Sequence, residues 1–169
     1  MPAALLLDMD GTLVDSEPVH IRAHAEYLAG RGVAVTHEDL VGNIGKGDLI
    51  FYRDLAARSG VPCDPEVWVA EKTELLHRMY RRDRLSVQPG VQALLDRAWA
   101  EGIACCVVSN SSRESVRLAL ESAGLAPRLP ARVCFEDTVA HKPDPAPYLL
   151  ASGRLACPAA RCTVIEDSP

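Results

Sequence analysis

Asp8 and Asp10 stand two residues apart directly after the apolar run Ala4–Leu7, and Gly11-Thr12 follows them. On an extended backbone that spacing puts both carboxylates on the same side. Two anions this close repel unless a proton or a cation lies between them. A hard divalent cation, Mg²⁺ above all, resolves the repulsion and leaves one carboxylate to attack an electrophile or to carry protons. Asp-x-Asp-Gly also opens calcium-binding loops, but those lie between helices and run through oxygen ligands to a closing Glu. Here Leu13 and Val14 occupy ligand positions.

Three further stretches place polar residues at the ends of short apolar runs. Ile103–Val108 ends in Ser109-Asn110-Ser111-Ser112, and a helix is predicted from Glu114 to Ala123. A helix N-terminus favours an anion, and Ser111 or Ser112 also serves as an ordinary N-cap there. Arg132–Phe135 reads as a short strand, followed by the acids Glu136 and Asp137, whose role the sequence leaves open. In His141-Lys142-Pro143-Asp144-Pro145, Pro143 biases Lys142 away from helix, so the lysine sits on a stiff backbone. A fixed positive charge suits a phosphate and an attacking carboxylate; taken alone, Lys142 reads as a loop lysine. Finally, Cys162–Ile165 ends in Glu166-Asp167, acids placed to complete a metal site with Asp8 and Asp10.

The elements that must position these residues alternate strand and helix, which predicts an α/β fold with ligands at the C-terminal ends of parallel strands. Residues 16–85 carry no strand signal and read as all-helical, so the predicted organisation is a core of 1–15 plus 86–169 with a helical insert at 16–85. Within the insert, Ser16 is an N-cap candidate with Pro18 in the first turn, and His20 lies close to the first acids in sequence. Gly42–Asp48 is glycine-rich around Lys46, a loop able to converge backbone N–H groups and one ammonium on an anion; it lacks the spacing of a P-loop. The run Arg78, Arg81, Arg82 and Arg84 reads as a solvated basic face. Val91–Gly102 is a predicted helix with Leu94, Leu95 and Trp99 turned inward.

Composition excludes several classes. A net charge of −5 argues against a general nucleic-acid surface. Six cysteines form no C-x-x-C pair and Cys105 and Cys106 lie in an apolar run, which fits small core residues in a reducing cytoplasm. No apolar run approaches membrane-spanning length, and Met1-Pro2-Ala3 is too short for a leader.

DMDGTLVDSE, VVSNSS, HKPDPAPYL and VIEDS, in that order, resemble the four motifs of the haloacid dehalogenase-like hydrolases, over essentially the whole chain. The resemblance implies a Rossmann-like parallel sheet flanked by helices, with a helical cap inserted after the first motif. It implies that Asp8 is the nucleophile and becomes an aspartyl-phosphate, and that Asp10 is the acid/base, its backbone carbonyl reaching Mg²⁺. Ser109 then bonds the transferring phosphoryl group, Asn110 supplies an adjacent backbone N–H, and Lys142 supplies the fixed charge. Glu166 and Asp167 join the metal site, Asp167 directly and Glu166 directly or through a neighbour. DSEPVH is similar to the hinge of the capped subfamily and so brings in His20; Lys46 is the leading cap-side contact for substrate.

The activity so implied is Mg²⁺-dependent hydrolysis of a small phosphomonoester, a sugar phosphate or similar metabolite. The rival within the family is a beta-phosphoglucomutase-like mutase. Those enzymes carry a cap lysine where this chain has His77, with Lys46 or Lys72 as possible substitutes. Dehalogenation needs neither the second acid nor the metal, so Asp10 argues against it. A phosphate-binding remnant without catalysis is the reading from another class. The resemblance further implies a helix and a strand after the fourth motif, where this chain stops; the expectation is an exposed sheet edge and a loosely anchored Asp167.

Overall fold

The structure, a computed structural model, describes residues 3–42 and 47–168. It divides into two compact units, Met1–Ser16 with Asp83–Pro169, and Glu17–Arg82. Ser16 and residues 83–85 therefore belong with the first unit rather than with the helical insert.

The first unit is built on a parallel sheet. Strand β1 (Ala4–Leu7) lies between β4 (Ala104–Val108) and β6 (Cys162–Ile165), and β5 (Ala131–Val133) adds beyond β4, giving the order β5-β4-β1-β6. Leu5 pairs in register with Cys105 on one side and Thr163 on the other. All four β1 residues are buried, which is why the sequence there is continuously apolar rather than alternating. Helix α7 (Ala146–Arg154) packs on β1, β4 and β5, and Leu6, Cys106, Val108, Val133 and Ala151 form the core beneath it. The amphipathic helices α5 (Val91–Ala100) and α6 (Arg113–Ser122) bury Val91, Leu95 and Ala98, and Val116, Leu118, Ala119 and Leu120. Trp99 is 83% exposed, against the expectation that it turns inward. Ala98 takes the inward position, because the buried stripe runs 91, 95, 98 at helical spacing and Trp99 falls outside it.

Strand β5 ends at Val133, not Phe135. Phe135 begins a single 3-10 turn, Phe135–Asp137, and is 48% exposed with its ring stacked on His141 at 4.0 Å. Asp137 accounts for the turn. It accepts from the Cys134 N–H at 2.8 Å, Arg113 Nη2 at 2.8 Å and Arg154 Nη2 at 2.6 Å, tying the end of β5 to α6 and α7. Glu136 accepts from the Arg113 N–H at the start of α6. Two strands too short to leave a periodic signal, β2 (Val14–Asp15) and β3 (Ser86–Val87), pair antiparallel where the chain leaves and rejoins this unit.

The second unit comprises α1 (Glu17–Ala29), α2 (His37–Val41), α3 (Asp48–Ser59) and α4 (Pro65–Arg82). Thr36 opens α2 with a capping box closed by Asp39. The core gathers Leu28, Val33, Leu40, Phe51, Tyr52, Leu55 and Trp68. One charged network crosses it: the Lys72 ammonium, 1% exposed, pairs with Asp48, which also meets His24 Nε2 at 3.2 Å, while His24 Nδ1 meets the Tyr52 hydroxyl at 2.8 Å. Burial alone would push the Asp48 carboxyl up; His24 and Lys72 outweigh it and hold the group well below the usual carboxylate range. Among the described residues no helix is long and apolar enough to cross a membrane.

Two stability outcomes follow from these networks. Asp48→Ala leaves a buried ammonium without its counter-charge and should cost about 3–5 kcal/mol in urea denaturation. Asp137 is held below the ordinary carboxylate range, chiefly by its Arg154 hydrogen bond, so its contribution is full above the unfolded value near about pH 4 and is lost as the pH falls toward the folded value. The melting temperature of Asp137→Asn should accordingly be lower than wild type at pH 7, with the difference shrinking below about pH 4.

Candidate active site

Parallel strands deliver their C-terminal ends to one edge of a sheet. The ladder continues one residue past each strand: the Asp8 N–H donates to the Ile165 carbonyl at 3.0 Å, and the Ser109 N–H to the Val133 carbonyl at 3.0 Å. Asp8 is thereby fixed beside the residue that precedes Glu166, and Ser109 beside the end of β5. The Lys142 ammonium reaches into this edge. It donates to Asp8 Oδ1 and to Glu166 at 3.0 Å (Oε2) and 3.3 Å (Oε1). Burial pushes the Asp8 carboxyl up to about 6, against the Lys142 charge and hydrogen bond, which pull it down.

Carboxylate oxygens of Asp8, Glu166 and Asp167 lie within 4.8 Å of one another. Asp8 Oδ2 is buried and has no hydrogen-bond partner among the described residues. An orphaned anionic oxygen beside two further carboxylates fits a small hard cation such as Mg²⁺, which binds through oxygen and takes few protein ligands. Gly11, at φ +82°, makes room for this group. A Cβ there would lie 2.2 Å from Asp167 Oδ2 and 2.9 Å from its Cγ, so no larger residue fits without moving the acid.

Asp10 does not join the three. Its Oδ1 accepts from Ser16 Oγ at 2.6 Å and its Oδ2 from Ser111 Oγ at 3.0 Å. Past Asp8 the chain turns, with the Gly11 N–H bonded to the Val14 carbonyl at 2.9 Å. Ser109 is buried, and its Oγ accepts from the Ser111 N–H at 3.0 Å. The Asn110 side chain is bonded to the backbone of Lys142.

His20 lies on α1 in the helical unit with Nε2 at 2.9 Å from the Tyr80 hydroxyl. Lys46 falls outside the described residues. Lys72, weighed as a substitute for a mutase lysine, is buried against Asp48, and His77 is likewise buried. Two residues have no signal in the sequence strong enough to find them. Tyr148 donates to Glu166 Oε2 at 2.6 Å, and its own hydroxyl is pushed up by burial and then by Glu166, so it stays a donor. Ser16, an N-cap candidate by sequence, donates its hydroxyl to Asp10.

A model of the family described as haloacid dehalogenase-like hydrolase matches residues 2–169. The chain is 34% identical over 176 residues to a phosphoglycolate phosphatase of Rhodospirillum rubrum, covering all of this chain and 73% of that one. It is 27% identical to the fructose-1-phosphate phosphatase YqaB of Escherichia coli, covering 98% of this chain and 87% of that protein. Among solved structures, CbbY from Rhodobacter sphaeroides in complex with phosphate superposes with a TM-score of 0.85 at 25% identity, over 99% of this chain and 79% of that one. The chain spans 16% and 58% of the length of two Arabidopsis thaliana relatives, to which it is 30% and 32% identical.

The acid group makes a direct prediction. Gly11→Ala should weaken Mg²⁺ binding by about tenfold to a hundredfold in calorimetric titration, because the new methyl displaces Asp167 while the other carboxylates keep their places.

Proposed function

The chain belongs to the haloacid dehalogenase-like hydrolase family, and we propose that it is a phosphatase acting on a small phosphomonoester through an aspartyl-phosphate on Asp8. The observation that carries this reading is the Lys142 ammonium donating to Asp8 and Glu166 beside a three-carboxylate group, at the C-terminal edge of the sheet. That constellation suits displacement at phosphorus, where catalysis is mostly positioning and charge compensation.

In this reading the Asp8 carboxylate attacks in line. Lys142 holds Asp8 in place through Oδ1 and offsets charge on the phosphoryl group. Ser109 and the Asn110 N–H orient phosphoryl oxygens. Asp10, steadied by Ser16 and Ser111, protonates the leaving alkoxide and later takes a proton from the water that hydrolyses the acyl phosphate. Asp8, Glu166 and Asp167, with the Asp10 carbonyl, would hold Mg²⁺, which when bound supplies positive charge to the phosphoryl oxygens. The helical unit serves as the cap that selects substrate, with His20 and Lys46 as its contacts. Small sugar phosphates and phosphoglycolate are the substrate class, in keeping with what the two phosphatase relatives are named for. Six cysteines, all free, fit a reducing compartment.

The mutase reading gains nothing from Lys72, whose ammonium is already paired in the helical core. Mg²⁺-dependent hydrolysis of p-nitrophenyl phosphate tests the proposal. Turnover should vanish with EDTA, return with added Mg²⁺, and fall below detection in Asp8→Asn, because an amide is a far poorer nucleophile. Turnover retained in that variant rules out Asp8 as nucleophile, and an inactive wild type leaves the non-catalytic phosphate-binding reading.

A further inference from the structure

Asn110 stands on the turn between β4 and α6, one residue beyond Ser109. Its planar amide meets both polar groups of a single residue 32 positions on: Nδ2 donates to the Lys142 carbonyl at 3.0 Å, and Oδ1 accepts from the Lys142 N–H at 3.0 Å. Asparagine carries one donor face and one acceptor face at this reach, so the pairing reads the peptide of Lys142 in one orientation only. The neighbouring residue is held as well: the His141 ring stacks on Phe135 at 4.0 Å and 20° between planes, and the His141 carbonyl accepts from the Asp144 N–H at 2.9 Å.

We infer that Asn110 is a positioning residue for the Lys142 ammonium, its side chain clamping the lysine backbone rather than touching substrate. The need is physical. An ammonium on a four-carbon stem is set accurately only if its root is fixed, and the stem keeps its rotamer freedom otherwise. The clamp ties that root to β4, which ends two residues before Asn110. Through Asn110, the end of that strand fixes both Ser109 and the origin of Lys142, so the hydroxyl and the ammonium keep one spacing. The backbone N–H of Asn110 remains the group turned to phosphoryl oxygens in the proposed function; the two halves of the residue do different work. The inference rests on that function for the meaning of Lys142, and its test separates the two.

The first measurement is amide hydrogen exchange at Lys142, with no substrate present. Protection in wild type and its loss in Asn110→Ala is the expected result; an unprotected Lys142 amide in wild type overturns the clamp whatever the enzyme does. The second is a cycle of Asn110→Ala and Lys142→Met on p-nitrophenyl phosphate. Asn110→Ala should lower kcat by about tenfold to a hundredfold with KM nearly unchanged, the cost of a misplaced charge. Asn110→Asp should fare no better, since its second oxygen faces the Lys142 carbonyl. In the Lys142→Met background, Asn110→Ala should change nothing further. A raised KM with kcat preserved makes Asn110 a substrate contact and overturns the inference, as do losses that multiply in the double variant. Asn110 is exposed, so its variants should fold, and circular dichroism melts verify that. A wild type without turnover defeats the phosphatase reading alone, and the exchange result still decides the clamp.

Discussion

Everything at the active edge depends on one ammonium placed among carboxylates. Asp8 is buried, Glu166 and Asp167 stand close by, and their mutual repulsion would open the strand ends if nothing offset it. Lys142 supplies one positive charge, bonded to Asp8 and Glu166 at once. One charge against three acids is not full compensation. The imbalance appears as the orphaned Asp8 oxygen and as a carboxyl pushed up by burial despite its lysine. A site with an unmet negative charge and a lysine already seated is prepared for a further cation and for an anion that shares both. In the proposed function this residual charge is what a bound cation would meet.

The surrounding hydrogen bonds are spread over several residues. Tyr148 gives Glu166 a second donor, and Ser16 and Ser111 give one to each oxygen of Asp10. Asp137 joins the end of β5 to α6 and α7. None of these groups belongs to the acid cluster, and Tyr148 limits the freedom of one that does.

The parts legible in the sequence were those whose physics is local. A continuous apolar run reads as a buried strand, and Ala4–Leu7 is one. The Ser112 cap is written in consecutive residues, Ser112 to Ser115. Lys142 was legible only by resemblance, since a lysine before proline has no intrinsic destination. Trp99 was misplaced because an aromatic residue near the helical stripe looks like core until packing shows that Ala98 fills the place. The partners of Tyr148 and Asn110, and the arginines that hold Asp137, lie between 17 and 32 residues away in the chain. No window of sequence contains them.

The paired strands β2 and β3 have a consequence for how such a protein can diversify. They join the two points where the chain leaves and rejoins the sheet-bearing unit, residues 14–15 and 86–87, by direct register. A segment whose two ends are already held together adds little closure entropy when it lengthens, shortens or is replaced. The intervening helices can therefore change in length or sequence while the paired residues at their two ends keep their register. Tailoring this scaffold by grafting would begin at those four residues, with the ribbon left intact.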